Sequence, residues 1–179
     1  MTPNPALLAL FTDRAVQQNR VTDITLTDSV ITLSLEPEIV ARYVRPDCQH
    51  PVAVQPHDCE EITVQGLGVQ GRALRYRVKT RRVAYTNDAG KFVTFTVPVP
   101  GLRTDLLVTD EVLEQALYFI IDRNLSLPVT AEMLRELYQV DTSASALERW
   151  KTMEAEQLPS VGQLIQHLNE KKDHDPASG

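Results

Sequence analysis

The sequence has very little cysteine and no long apolar run, and these absences exclude several classes of protein. Only 2 of the 179 residues are cysteines, too few for a secreted scaffold of this length held by disulfides. The longest apolar cluster, residues 116–121, is far shorter than the roughly 20 residues of a membrane span. No Lys or Arg precedes the apolar run at 6–11, so we expect no signal peptide. The sequence predicts a cytoplasmic protein without membrane association.

Familiar catalytic motifs are absent as well. The sequence contains no nucleophile elbow, no HExxH and no EF-hand pattern. Three glycines occur between residues 66 and 71, but no Lys-Ser/Thr follows them, and the next segment has the pattern of a strand rather than a helix. We therefore expect a non-enzyme without a bound cofactor.

The charge of the chain is unevenly distributed. The net charge is −6, yet the segment from Ile62 to Arg103 has eight basic residues and one acid, Asp88. That segment carries +7 and leaves −13 for the remainder. A basic segment inside an acidic chain indicates a localised site for an anionic partner. The basic residues are Arg72, Arg75, Arg77, Lys79, Arg81, Arg82, Lys91 and Arg103.

The first half of the chain has the periodicity of strands. A short helix is predicted within residues 2–18, and the proline-rich segment 45–61 is predicted to be an irregular loop. The first two strands alternate apolar and polar residues around Asp28-Ser29, which predicts a hairpin. The last three are predicted to be antiparallel. The five strands are predicted at residues 21–27, 30–35, 62–67, 72–85 and 91–97.

The second half has the periodicity of helices. Thr109 is predicted to cap a helix that ends near Arg123, and further helices are expected at 131–138 and 144–156. A last helix from Val161 would dock on the bundle or on a partner subunit, before a disordered tail. We predict an α+β fold: a small antiparallel, ribbon-like β module followed by a helix-turn-helix-like helical bundle. The predicted divisions are 1–103, 104–172 and 173–179.

Alternation along the central strand places its cations on one face. Arg75, Arg77, Lys79 and Arg81 share that face, while Leu74, Tyr76, Val78 and Thr80 take the other. Adjacent cations repel one another, so they need compensation. Either a phosphate backbone or acids on neighbouring strands would supply it.

The segment 130–153 has the spacing of a helix-turn-helix motif. Leu134, Leu137, Val140, Leu147 and Trp150 fit its buried positions, and residues 141–143 fit its turn. Ser143, Ser145, Arg149 and Lys151 would then lie near the nucleic acid. A plain helical hairpin has the same apolar spacing and is the alternative.

Two cysteines and two histidines lie within residues 48–59. Cys48, His50, His57 and Cys59 together have the donor types of a tetrahedral structural zinc site. The C-x-H spacing is not that of a zinc knuckle, so zinc is an alternative and an empty loop is the main expectation.

The order of these elements resembles the N-terminal region of the ISL-three family of insertion-sequence transposases. That region has short strands, a zinc-ribbon knuckle, further strands, a Pro-Gly pair and a helix-turn-helix, and a catalytic domain follows it. The corresponding segments here are 21–37, Arg45-Pro46-Asp47-Cys48, Leu67 to Arg72, Arg81-Arg82-Val83, Phe92, Phe95, Pro100-Gly101 and Ala131 to Trp150.

The chain also departs from that family. Arg45 replaces the first knuckle cysteine, and Tyr85 and Asp88 stand where the second ligand pair would be. The chain ends soon after the third helix of its second half, where the family's catalytic domain would begin. The resemblance therefore implies a DNA-recognition module without the ribbon zinc or the transposase chemistry.

These features predict an accessory or regulatory protein that binds nucleic acid, with duplex DNA as the preferred form, and belongs to a mobile element. A protein–protein adaptor in a larger nucleoprotein complex is the alternative, with a partner or second copy held through the C-terminal helix. The predicted nucleic-acid contacts are Arg72, Arg75, Arg77, Lys79, Arg81, Arg82, Ser143, Ser145, Arg149 and Lys151.

Overall fold

A mixed β-sheet and four α-helices make up the described part of the chain. The computed structural model describes residues 11–37, 42–43, 48 and 51–157. Within these residues the main sheet has seven strands in the order β1-β2-β6-β5-β9-β8, with β7 beside the C-terminal part of β6. The strands β3 and β4 form a separate two-stranded ribbon. The α+β class predicted from the sequence is therefore confirmed.

The helices and strands have the following bounds. The strands are β1 (Arg20–Leu26), β2 (Val30–Glu36), β3 (Arg42–Tyr43), β4 (Val52–Ala53), β5 (Gln55–Val69), β6 (Arg72–Thr86), β7 (Phe92–Thr96), β8 (Leu102–Arg103) and β9 (Val108–Thr109). The helices are α1 (Arg14–Gln18), α2 (Asp110–Leu117), α3 (Leu127–Tyr138) and α4 (Ala144–Gln157), and a π-helical turn, Tyr118–Asp122, follows α2.

The predicted hairpins are present. Strands β1 and β2 pair antiparallel, as their alternating patterns indicate. Strands β5 and β6 pair antiparallel around Gln70-Gly71, and both turn residues have positive φ angles, 53° and 75°. Two left-handed residues give a two-residue turn whose twist matches that of the flanking strands. The third predicted antiparallel pair, β6 with β7, is also confirmed.

The prediction of an irregular loop over residues 45–61 is wrong at β4 and from Gln55 onward. Strand β5 begins at Gln55 and includes Pro56, beside an irregularity in the pairing between Pro56 and Asp58. In the described sheet this part of β5 pairs only with β6, so Pro56 lies on an edge strand, where its missing N–H is tolerated. Gly66 and Gly68 likewise lie inside β5 rather than in a loop.

The sheet is larger than the predicted ribbon-like module, and it is not wholly antiparallel. Strand β2 pairs parallel with β6, from Val30 opposite Ala73 to Leu35 opposite Val78. Strand β9 pairs parallel with β5 at Gln65. The alternation in the sequence specifies which face of each strand is buried, but it does not specify which strand lies beside it.

One face of the sheet carries the first apolar core. Leu33, Val64, Leu74 and Tyr76 are completely buried there, and Ala15 of α1 packs against the same cluster. The Tyr76 hydroxyl donates a hydrogen bond to the Asp13 carboxylate. Burial raises the pKa of Asp13, although this hydrogen bond opposes the shift. The short helix α1 is thereby fixed to the centre of the sheet.

The helices enclose a second apolar core. Its completely buried members include Val112, Leu134, Val140 and Leu147, and Trp150 is 4% exposed. The Thr109 side chain accepts a hydrogen bond from the backbone N–H of Val112, which confirms the predicted cap of α2. Helix α3 begins four residues earlier than predicted, because Pro128 lies inside its first turn.

Leu137 is not buried as predicted. Its side chain is 56% exposed, whereas Leu134, one turn earlier on α3, is completely buried. The helix ends one residue later, at Tyr138, and Gln139 has a left-handed backbone with a φ of 56°. Val140, which follows this reversal, is completely buried as predicted.

Some predicted elements lie outside the described residues. These are the start of the predicted N-terminal helix, most of residues 38–50, the helix from Val161 and the polar tail. Among the helices that are described, none is long and apolar enough to cross a membrane. The predicted division of the chain near residue 103 stays a prediction.

Candidate nucleic-acid interface

Strand β6 carries a row of cations on the face opposite the first core. Leu74, Tyr76, Val78 and Thr80 are buried, as the alternation predicts, while Arg77 and Lys79 are exposed and Arg75 and Arg81 are partly exposed. Alternate residues of a strand recur about every 6.6 Å, so the row extends over about 20 Å. We refer to Arg75, Arg77, Lys79 and Arg81 as the cation row.

The cation row is only partly neutralised by acids. Arg77 Nε lies 3.6 Å from Glu61 Oε1 on β5, and both side chains are more than half exposed. Such exposed pairs contribute about 0–1 kcal/mol and exchange readily with another anion. Within the described residues, Lys79 and Arg81 have no carboxylate at ion-pair distance, although Glu61 lies opposite Lys79 in the sheet register.

The other two predicted cations of β6 lie beside the row. Arg72, at the start of the strand, donates a hydrogen bond from Nε to the Asp28 carbonyl at 3.2 Å. Arg82 follows Arg81, so its side chain points to the other face of the strand. Its guanidinium lies 3.8 Å from the Asp58 carboxylate, and it donates to the Thr94 hydroxyl at 3.1 Å.

Gln65 on β5 connects the cation row to the turn between α3 and α4. Its Oε1 accepts a hydrogen bond from Arg75 Nη1 at 2.7 Å and a second from the backbone N–H of Asp141 at 2.9 Å. Its Nε2 donates to the Asp141 carbonyl at 3.0 Å. One side chain therefore holds the first cation of the row beside the N-terminal side of α4.

A close backbone approach supports the same junction. Gly68 of β5 lies against the end of α3, where a Cβ atom on Gly68 would be 2.4 Å from the Tyr138 carbonyl oxygen. That distance excludes any side chain, so only glycine permits this packing. The turn after α3 is thus fixed against the same end of β5 that carries Gln65.

The predicted contact residues of α4 are at or near its N-terminal half. The Ser143 hydroxyl accepts a hydrogen bond from the Ala146 N–H at 3.2 Å and so caps the helix, and the Ser145 hydroxyl lies 3.0 Å from it. Arg149 donates from Nη2 to the Asp105 carbonyl at 3.1 Å, and Lys151 pairs with Glu148 at 2.9 Å. The serines face solvent, whereas the two cations already have partners.

Arg103 holds α4 against the β8–β9 connection. It donates from Nε and Nη2 to the two oxygens of Asp105 at 3.2 and 3.1 Å, and from Nη1 to Glu154 of α4. Burial alone would raise the pKa of Asp105, but the hydrogen bonds and charge of Arg103, together with backbone N–H groups, lower it below its ordinary value. Asp105 is therefore an ionised support for the position of α4.

A zinc site is not seen in the described residues. Among them, no group of three or more His, Cys, Asp and Glu side chains is placed to hold one metal ion. Cys48 is partly buried, Cys59 is exposed, and they are not joined by a disulfide. His50 lies outside the described residues, so the alternative of a four-residue zinc site is not tested.

The sequence gives little indication of the junction. Gln65 occurs in an alternating strand segment, where polar residues of the exposed face are ordinary, and nothing in the pattern links it to Asp141. The run Gly66-Leu67-Gly68 is the only local signal, because a glycine inside a strand indicates a close backbone approach. This run indicates where another segment approaches β5, but it does not indicate which segment.

Comparison with known proteins adds no relative from which a function could be transferred. No protein-family model matches this chain, and no curated protein or solved structure matches it significantly. The resemblance to the ISL-three transposases therefore stays a prediction from short motifs.

Proposed function

We propose that the protein binds duplex DNA, without catalysis, through the cation row and the N-terminal half of α4. The observation that carries this proposal is the Gln65 junction, which couples Arg75 to Asp141 by three hydrogen bonds. A cationic strand and a helix start that are fixed together can contact one nucleic acid at the same time.

The two parts have different roles in this proposal. Lys79 and Arg81, with no acid partner among the described residues, contact phosphates, which sets affinity but not sequence preference. Helices α3 and α4 act as a helix-turn-helix, and Ser143, Ser145 and Arg149 lie near the start of the second helix, where such motifs meet base edges.

The charge balance sets the expected strength of binding. The chain outside residues 62–103 carries −13, and Glu148 lies on α4 itself. Repulsion between these acids and phosphates makes the affinity modest and strongly dependent on salt. We propose that the protein acts as an accessory or regulatory component of a mobile element rather than as a high-affinity repressor.

A protein–protein adaptor is the second candidate, and the Arg77–Glu61 ion pair favours it. If acids within the fold neutralised all four cations, the role of the row would be structural, and an adaptor that docks its partner through the acidic helical half would be favoured. Only one of the four cations pairs with a carboxylate among the described residues, since Arg75 contacts the amide of Gln65 instead. The small number of cations paired with carboxylates favours nucleic-acid binding over the adaptor function.

An electrophoretic shift series with random duplex DNA at two salt concentrations tests the proposal. We expect a shift at low salt that weakens steeply as salt rises. Absence of a shift of duplex or single strands at low salt would contradict the proposal and leave the adaptor as the remaining candidate.

A further inference from the structure

A cavity of about 470 Å³ lies beside the distal end of the cation row. Strand β2 pairs with β6 as far as Val78, and β7 pairs with β6 from Arg82 onward. The pairing with β2 therefore ends before residue 79 of β6, and the pairing with β7 begins after residue 81. The cavity lies beside the three residues between these two pairings. Its volume is within the range of about 300–1,000 Å³ that is typical of small-ligand sites.

The cavity combines apolar walls with two cations. Val83, Val97 and Pro56 supply apolar surface, and Lys79 and Arg81 line the same space. The Tyr43 side chain on β3 also lines it, with its ring packed edge-on against Phe95 at a centroid distance of 5.5 Å. The one carboxylate among the described lining residues belongs to Asp58, which pairs with Arg82. These walls suit a flat apolar group that carries a negative charge at its edge.

A second cavity, of about 300 Å³, adjoins the other side of the same two cations. It shares Lys79, Arg81 and Pro37 with the first cavity, and its further walls include the hydroxyl groups of Thr22 and Ser34 and three carboxylates, those of Asp23, Glu36 and Glu61. Lys79 and Arg81 therefore stand between an apolar concavity and a more polar one. The three carboxylates disfavour a phosphate on the polar side, so an anionic ligand of Lys79 and Arg81 is better accommodated on the side of the larger cavity.

We propose that the larger cavity receives one unstacked nucleobase of a single-stranded stretch, with the adjoining phosphate bound by Lys79 and Arg81. This inference deepens the proposed function and rests on it. A base within a continuous duplex is stacked on both sides and cannot enter such a cavity, whereas an unpaired base can pack against Tyr43 and the apolar walls. The preferred ligand is then a duplex that ends in, or is interrupted by, unpaired nucleotides.

The test compares a blunt duplex with the same duplex carrying an overhang of about three nucleotides, one of them 2-aminopurine. We expect the wild-type protein to bind the overhang duplex about tenfold more tightly than the blunt one. The 2-aminopurine fluorescence should also change on binding, because the base leaves its stack. Equal affinities for the two duplexes would overturn the inference while leaving the proposed function intact, and failure to bind either would overturn both.

Two variants connect this preference to the cavity. Cys59→Trp places a large side chain into the space from an exposed lining position, and Tyr43→Ala removes the aromatic wall. Each should reduce the overhang preference to about twofold or less while blunt-duplex binding is retained. Thr86→Trp is the matched control, because Thr86 is an exposed β6 residue that does not line the cavity. An undiminished preference in both folded variants would contradict the assignment.

Discussion

Gln65 and Asp141 form a reciprocal pair of hydrogen bonds between the sheet and the helices. Gln65 Nε2 donates to the Asp141 carbonyl at 3.0 Å, and the Asp141 N–H donates to Gln65 Oε1 at 2.9 Å. The same oxygen also accepts from Arg75 Nη1 at 2.7 Å. The position of α4 is therefore linked to the first cation of the row. The side chain of Gln65 fixes the position of one half of the proposed interface relative to the other.

Removing this side chain should loosen the junction. Gln65→Ala deletes all three hydrogen bonds, and we expect the free energy of unfolding to fall by about 1–2 kcal/mol, since each bond contributes about 0.5–1.5 kcal/mol and all three are partly solvated. Chemical denaturation measures the change. Gln55→Ala is the control, because Gln55 is an exposed residue of the same strand. Equal losses in the two variants would mean that the junction contributes nothing specific.

Trp150 should be a principal source of stability for the helical part. It is 4% exposed and belongs to the same apolar cluster as Leu134 and Leu147. Trp150→Ala should lower the free energy of unfolding by about 3–5 kcal/mol. In contrast, Phe92→Ala should have little effect, because Phe92 is 65% exposed. An unchanged melting temperature for the Trp150 variant would refute the packing described for α4.

The contact between Arg103 and Asp105 predicts a stability that depends on pH. The pKa of Asp105 is lowered in the folded protein, so its ionised form stabilises the fold above the unfolded value of about 3.9. That contribution is lost as the pH falls through the lower, folded pKa. The stability difference between wild type and Arg103→Met should therefore be larger at neutral pH and shrink below about pH 4.

The double variant isolates the Asp105 part of this effect. In an Asp105→Asn background the carboxylate is absent, so the additional loss from Arg103→Met should be smaller at neutral pH and depend less on pH. Denaturation curves at several pH values supply the comparison. An identical loss in both backgrounds at every pH would show that Arg103 acts only through Glu154.

Arg149 tests the role assigned to α4. If its guanidinium leaves the Asp105 carbonyl to contact a guanine, Arg149→Ala should reduce discrimination between DNA sites by about 1–3 kcal/mol. Selection from a random duplex pool, followed by competition between the best and average sites, measures that discrimination. Lys151→Ala should leave this discrimination unchanged, since a lysine that contacts only phosphates carries no sequence preference. A uniform loss of affinity for all sites in the Arg149 variant would assign it to phosphate contacts instead.

Five of the nine described strands were predicted, at least in part, because apolar and polar residues alternate along them. The alternation of Arg75, Arg77, Lys79 and Arg81 with apolar residues correctly separated the two faces of β6, and Thr109 was correctly identified as a helix cap. Such signals are local, since each depends only on side-chain spacing within one element.

The features that were missed depend on contacts between distant segments. Proline density suggested a loop at Pro56, but an edge strand tolerates a proline where no ladder hydrogen bond is needed. Leu137 fits the helical spacing but is 56% exposed, because the packing of the helix against the rest of the fold decides which of its residues are covered. The pairing of Gln65 with Asp141 spans 76 residues and has no sequence pattern at all.

The salt dependence of duplex binding, compared between Lys79→Ala and Lys91→Ala, tests the central proposal most directly. Both variants remove one exposed lysine and change the net charge equally, but Lys79 belongs to the cation row and Lys91 lies in the turn before β7. Fluorescence anisotropy with a random duplex at several salt concentrations gives the affinity and its salt slope. The account predicts that Lys79→Ala weakens binding to all sequences and flattens the slope by about 0.9 unit, while Lys91→Ala leaves the slope at the wild-type value. Equal slopes for all three proteins, or no binding by the wild type at low salt, would contradict it.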